Sequence, residues 1–200
     1  MIYSALAIDQ SMRHTGWAHI ANDGEPISFG TYSLPFWADD EGKYLWRWFN
    51  WLQKMCEGLK VTHLFVEQTF VPPGHNEGLT LKLAQYGLIA NACMVAHILS
   101  GKGQTIDMQM VSTSQWRPPF LGSEKPPSGL VDQQKRAWLK ERAKAACEKR
   151  GWMIMDDNQA DACGILTFGV STIDMNFMVR QGPLFRRAEM AADNEKRDLK

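Results

Sequence analysis

Four carboxylates stand where chemistry can use them. Asp9 closes the apolar run of residues 2–8, and Glu67 ends a second such run, "VTHLFVEQ" (61–68). Asp157 and Asp161 are four apart at the head of "DDNQADACGILTFGVST" (156–172), a spacing that puts both on one helix face. If the two apolar runs are neighbouring strands, Asp9 and Glu67 lie side by side and the first helical turn packs over them. Acids crowded in this way repel and raise one another's pKa. Two divalent cations offset that repulsion, and hard oxygen ligands select Mg²⁺, with Mn²⁺ as a substitute. Two such ions roughly 3.5–4 Å apart support in-line attack of water on a phosphodiester. Taken singly, each acid has a plainer use: Asp after a strand serves a turn, and Asp156 or Asp157 caps a helix. Their recurrence at two strand ends and one helix start is what points to a metal site.

The elements that must position these acids follow from the pattern. Residues 2–8 read as a strand buried on both faces, "TGWAHIAN" (15–22) as a second and "PISFGTYSL" (26–34) as a third, with Asn22-Asp23-Gly24 as a hairpin turn. In "EGKYLWRWFNWLQKMCEGL" (41–59), Tyr44, Leu45, Trp48, Trp51, Leu52 and Met55 recur at three and four, which predicts an amphipathic helix. Trp46, Trp48 and Trp51 cannot all face its core. Strand 61–68, a helix from Glu77 to Leu99, strand 105–112, a Pro/Gly-rich loop 117–129, and helices 131–151 and 156–172 complete the order. A meander followed by alternating strands and helices gives an α/β fold, a mixed five-stranded sheet flanked by helices. Sites in such sheets gather at strand ends near a switch in strand order. One domain, 1–175, is expected, with 176–200 as a partly disordered tail.

Bulk properties narrow the function. The formal net charge is zero, so polyanion binding has to come from a local basic face. Residues 117–150 supply one, with nine basic residues against four acidic. Cys56, Cys93, Cys147 and Cys163 are too far apart for a zinc site and read as small buried hydrophobes in a reducing compartment. "MIYSALAIDQ" lacks the basic start of a signal peptide, and the apolar stretch 87–99 is short and broken by Asn91 and His97. The expectation is a cytoplasmic protein with no membrane contact. His97 reads as a satisfied core residue.

These segments also resemble a known family. "AIDQSMRHTGWAHI" (7–20) is similar to the first strand and turn of the RuvC family of Holliday junction resolvases. "FVEQTF" (65–70) resembles its second acidic motif, "LKLAQYGLIANA" (81–92) the helix after it, "VSTSQWR" (111–117) the segment after strand five, and "NQADACGI" (158–165) the final acidic motif. The likeness runs in order from about residue 5 to 170, and the divergent loops look more like phage-encoded members.

The resemblance implies an RNase H-like fold, a homodimer, and Mg²⁺-dependent nicking of branched DNA, above all the four-way junction, with two ions per active site. It places Asp9, Glu67 and Asp161 as catalytic metal ligands. The family's fourth ligand lies three residues before the last Asp, at Asn158, but the neighbouring Asp157 offsets metal charge better, and both stay open. Arg117 and Lys135 fall where the family carries basic residues near the scissile phosphate. Gln68 and Phe70 of the second acidic motif are implied DNA contacts, Phe70 by stacking on an unpaired base. Two competing functions are an ATP phosphotransferase of the actin-like and sugar-kinase class, whose opening "AIDQ" also resembles, and a non-catalytic DNA-binding relative. The former needs a glycine-rich phosphate loop that these residues lack.

Overall fold

The computed structural model describes residues 3–11, 13–21, 27–34, 40–69, 79–122 and 125–177. The expected turn at Asn22-Asp23-Gly24, Phe70, and the tail beyond 177 lie outside the described residues. Five strands, β1 (Ser4–Asp9), β2 (His14–Ala21), β3 (Ser28–Ser33), β4 (His63–Glu67) and β5 (Asp107–Val111), form one sheet in the order β3-β2-β1-β4-β5. The helices are α1 (Glu41–Gly58), α2 (Leu79–Gly101), α3 (Thr113–Leu121), α4 (Asp132–Lys149) and α5 (Asp157–Ile173). The first three strands pair antiparallel, while β1, β4 and β5 run parallel. The expected mixed sheet is therefore present, and the change of direction falls at β1.

Strand periodicity then sorts the core into two layers. Leu6, Ile8, Leu64 and Val66 face a cluster with Tyr44, Trp48, Leu52 and Cys56 of α1 and Leu88, Ala92, Val95 and Leu99 of α2. Ala5, Ala7 and Phe65 face the opposite cluster, built on α3, α4 and α5. Ala7 pairs with Phe65, so Asp9 and Glu67, two residues on, share the α5 side and the same end of the sheet. The cross-helix packing is close because the contacts are small. A Cβ on Gly16 of β2 would sit 2.0 Å from the Asn158 carbonyl oxygen, and one on Gly169 would sit 2.4 Å from the Phe65 ring.

Three expectations change. The loop expected at 117–129 begins as helix: α3 carries Pro118 and Pro119 inside it. Proline removes two internal hydrogen bonds. Against that, Trp116 and Phe120, four apart, are both buried, the Gln115 side chain accepts from the Ser112 amide at 2.8 Å, and Gly122 ends the helix at φ +88°. His97 is exposed, not a core residue, and so is Cys93. Both lie on the face of α2 turned from α1, because Ala92, Val95, Ala96 and Leu99 take the buried face. Among the described residues no helix is long and apolar enough to cross a membrane.

Of the tryptophans in α1, Trp48 is fully buried and donates its indole N–H to Thr15 Oγ1 at 3.0 Å. Trp51 is half-buried and stacks on Tyr32 with ring centroids 4.3 Å apart. Trp46 is exposed.

Two glycines make opposite predictions. Gly16→Ala should cost about 1–3 kcal/mol or more, because backbone on both sides has to move. Gly58→Ala, with nothing near its Cβ, should gain about 0.4–1 kcal/mol by restricting the unfolded chain. Urea midpoints measure both, and equal effects would contradict the close approach of β2 and α5.

Candidate active site

Parallel pairing brings the ends of β1 and β4 to one rim, and Gln10 ties them together. Its side-chain amide donates to the Glu67 carbonyl and, at 3.3 Å, to Thr69 Oγ1. The other amide atom, Oε1, is buried with no partner among the described residues. Helix α5 arrives over this rim through its first turn. Asp156 caps it, accepting from the Gln159 amide at 2.9 Å and from Thr31 Oγ1 at 2.5 Å. Gln159 also donates to Thr31 Oγ1 at 3.2 Å and accepts from the Met155 amide at 2.8 Å. Two hydrogen bonds to Thr31 thus tie the start of α5 to β3, and the bare Cα of Gly16 lets it close on β2.

The result is an acidic floor. Asp9 is only 9% exposed. Burial, then the charge of Glu67, then that of Asp161, push its carboxyl well above the usual carboxylate range, and a hydrogen bond with Glu67 and the charge of Asp157 push the same way. Asp161 is pushed up to about 7, first by burial and then by Glu67, with Arg117 and Lys140 pulling it down. Asp157 behaves oppositely: the Lys140 ammonium, in direct contact with it, holds its carboxyl below the usual range. Glu67 is oriented by the Trp116 indole, which donates to Oε1 at 3.2 Å.

A basic wall faces this floor. A cleft of about 200 Å³ is lined by Arg117, Arg136, Leu139, Lys140 and Asp161. Arg117 lies over the Trp116 ring at 5.2 Å. Arg136 and Lys140, four apart on α4, reach the cleft together.

The structure thus brings together Asp9, Glu67, Asp157, Asp161 and Arg117. Asn158 packs its backbone on Gly16. Lys135 instead pairs with Asp132 at 3.3 Å, and exposed Gln68 uses its backbone amide on the Val111 carbonyl at 2.8 Å. Arg136, Lys140, Trp116 and Gln10 were not singled out from sequence. The four-residue spacing of Arg136 and Lys140 was a signal for one shared face, but nothing local said which face met the acids.

Among the described residues no three His, Cys, Asp or Glu side chains are already drawn into a metal cage. The donor set nevertheless suits a hard divalent cation. It is all oxygen, and two of its carboxyls are held in a state that disfavours their anions, which a nearby positive ion reverses.

The raised acids set a pH dependence. In chelator, folded Asp161 keeps its proton up to about pH 7, whereas the unfolded chain releases it near pH 4. The native state holds more protons between those values, so stability is complete below the lower one and falls as pH rises through the upper. Asp161→Asn should therefore be more stable than wild type at pH 8, and the difference should vanish near pH 4. Urea unfolding across that range checks it, and a pH-independent difference would contradict the buried, crowded state of Asp161.

No protein-family model matches the chain, and none of the curated proteins does. Solved structures do. Thermus thermophilus RuvC in complex with a Holliday junction substrate superposes with a TM-score of 0.61 at 11% identity, covering 88% of this chain and 97% of that one. A second structure of Thermus thermophilus RuvC gives 0.55 at 13% identity, covering 87% of this chain and 97% of that one. At such identities the likeness is one of fold: this chain has the RNase H-like fold of the RuvC-type Holliday junction resolvases.

Proposed function

We propose that this protein is a divalent-metal-dependent endodeoxyribonuclease that nicks branched DNA, with the four-way junction as its principal substrate. The observation that carries the proposal is the convergence of Asp9, Glu67 and Asp161 on one enclosed floor opposite Arg117, Arg136 and Lys140. The likeness to a RuvC bound to a Holliday junction agrees with it. An acidic floor against a basic wall is what phosphodiester hydrolysis asks of a site: oxygen ligands for cations on one side, positive charge for the DNA backbone on the other.

Asp9, Glu67 and Asp161, with Asp157 or Asn158 as fourth ligand, would hold two Mg²⁺ ions, or Mn²⁺ in their place. When bound, such ions acidify a water and stabilise the leaving oxygen. The chain's own groups do the rest. Arg117 and Arg136 hold phosphates on either side of the cut. Trp116 keeps Glu67 turned to the floor. Lys140 neutralises Asp157 until a metal or phosphate takes over that charge balance. A four-way junction is resolved by two nicks, so two copies of the site are needed. The exposed Tyr86, Met94 and Ile98 of α2 offer an apolar face on which a second copy can pack as a homodimer. Phe70 and Lys135 would extend the DNA contacts, Phe70 by stacking on an unpaired base.

A synthetic four-way junction with Mg²⁺ should receive paired nicks, and linear duplex should not. Asp9→Asn should abolish nicking while leaving junction binding in place; equal cutting by the two proteins would sink the proposal. Arg136→Ala should weaken junction binding and reduce the salt dependence of log K by about one. In a thermal melt at pH 8, Mn²⁺ should raise the midpoint of wild type and not that of Asp9→Asn.

A further inference from the structure

On the far face of the sheet, outside the site just described, a second groove of about 380 Å³ runs between β3 and α1. It is lined by Tyr32, Trp46, Arg47, Asn50, Trp51 and Lys54. Tyr32 and Trp51 are partly buried against the core on that side, but the core does not account for Trp46, Arg47, Asn50 and Lys54. The buried face of α1 is already filled by Tyr44, Trp48, Leu52 and Cys56. Trp46 stands 65% exposed, the most exposed aromatic among the described residues. Beside it, Tyr32 and Trp51 are stacked within 3° of parallel, which makes a rigid aromatic wall. Arg47 and Lys54 are seven apart, two turns along one face of the helix. Among the described residues neither has a carboxylate partner. Arg47 is close enough to the Tyr32 phenol to bear on its acidity. Asn50 donates its side-chain N–H to the Trp46 carbonyl at 2.7 Å, so its Oδ1 is left as an acceptor with no partner among the described residues.

Unpaired positive charge beside an exposed indole is the combination that holds a single strand: phosphates on the cations, a base on the ring. A duplex shows its bases only at their edges and leaves the indole unused. The placement also suits a strand that leaves the candidate active site. Asp9 pairs with Gly16, and Thr15 pairs with Tyr32, so the groove lies two strands away at the same end of the sheet. Two strand spacings are about 10 Å. Among the described residues, edge strand β3 is what separates the two faces there.

We propose that this groove binds an unpaired DNA strand, one base stacking on Trp46 and the adjoining phosphates meeting Arg47 and Lys54. The proposal rests on the DNA-nuclease reading only for its choice of DNA over RNA, and it gives the enzyme a preference for junctions, forks or flaps with an opened arm.

The test uses the full chain and a fluorescein-labelled oligo(dT) of about twelve nucleotides, read by anisotropy against salt. Trp46→Ala should weaken binding about tenfold or more, and Trp46→Phe should restore most of it. Arg47→Ala with Lys54→Ala should lower the salt slope by about 0.7 for each cation removed. Unchanged melting midpoints certify folding of the variants. Oligo binding that is absent in wild type, or indifferent to these substitutions, overturns the proposal. So does concentration-dependent self-association that Trp46→Ala abolishes while oligo binding is unaffected, because a second copy would then occupy the groove. Junction nicking measured on the same wild-type sample separates the two readings. Sensitive oligo binding without nicking keeps the groove and removes the nuclease, whereas nicking with insensitive oligo binding does the reverse.

Discussion

Like charges held together out of water are the constraint around which the rest of this molecule is arranged. Asp9 and Asp161 would each be better hydrated away from Glu67, and burial and the Glu67 charge both act against their ionised forms. A protein selected for stability alone would separate them or replace one with an amide. The chain instead spends hydrogen bonds on keeping them in place. Trp116 holds Glu67, Gln10 ties the two strand ends, and Asp156, Gln159 and Thr31 anchor the helix that brings Asp161. Local conflict maintained by surrounding order is what a functional site looks like in energetic terms.

The fold meets this constraint with small residues. Helix α5 lies almost against the sheet because Ala5, Ala7 and Ala18 face it and because Gly16 and Gly169 have no Cβ to hold it away. The same closeness makes α5 nearly invisible to water: it is buried from Gln159 through Val170, with Asp161 and Phe168 only partly covered. A helix so enclosed has little freedom to rotate, so the direction of Asp161 is set to within the tolerance of the packing. Asp157, one turn earlier and nearer solvent, takes Lys140 as a counter-ion. Within four residues the chain has one acid whose charge is relieved and one whose charge is not.

The two faces of the sheet divide the surface chemistry. The α5 side has the acidic floor and the cations of α3 and α4. The α1 and α2 side has exposed rings and apolar groups, with Trp46 over one groove and Tyr86, Met94 and Ile98 along α2. Edge strand β3 joins the two, since Thr31 reaches the cap of α5 while Tyr32, its neighbour, stacks on Trp51 of α1. Alternation along a single strand is enough to serve both sides.

Much was legible in the residues alone. Two apolar runs ending in Asp9 and Glu67, the four-residue step from Asp157 to Asp161, the three-strand meander and the α/β alternation are all local patterns, and period and composition are local properties. Tertiary structure decided what local patterns do not contain. It kept α3 helical through Pro118 and Pro119, because burying Trp116 and Phe120 outweighs two lost backbone bonds. It turned His97 and Cys93 outward on a helix whose composition reads as core. It put Arg136 and Lys140 at the cleft and left Lys135 beside Asp132, because the rotation of α4 about its axis is set by which side packs on α3 and α5. Spacing says which residues share a face, and only packing against a partner element says where that face points.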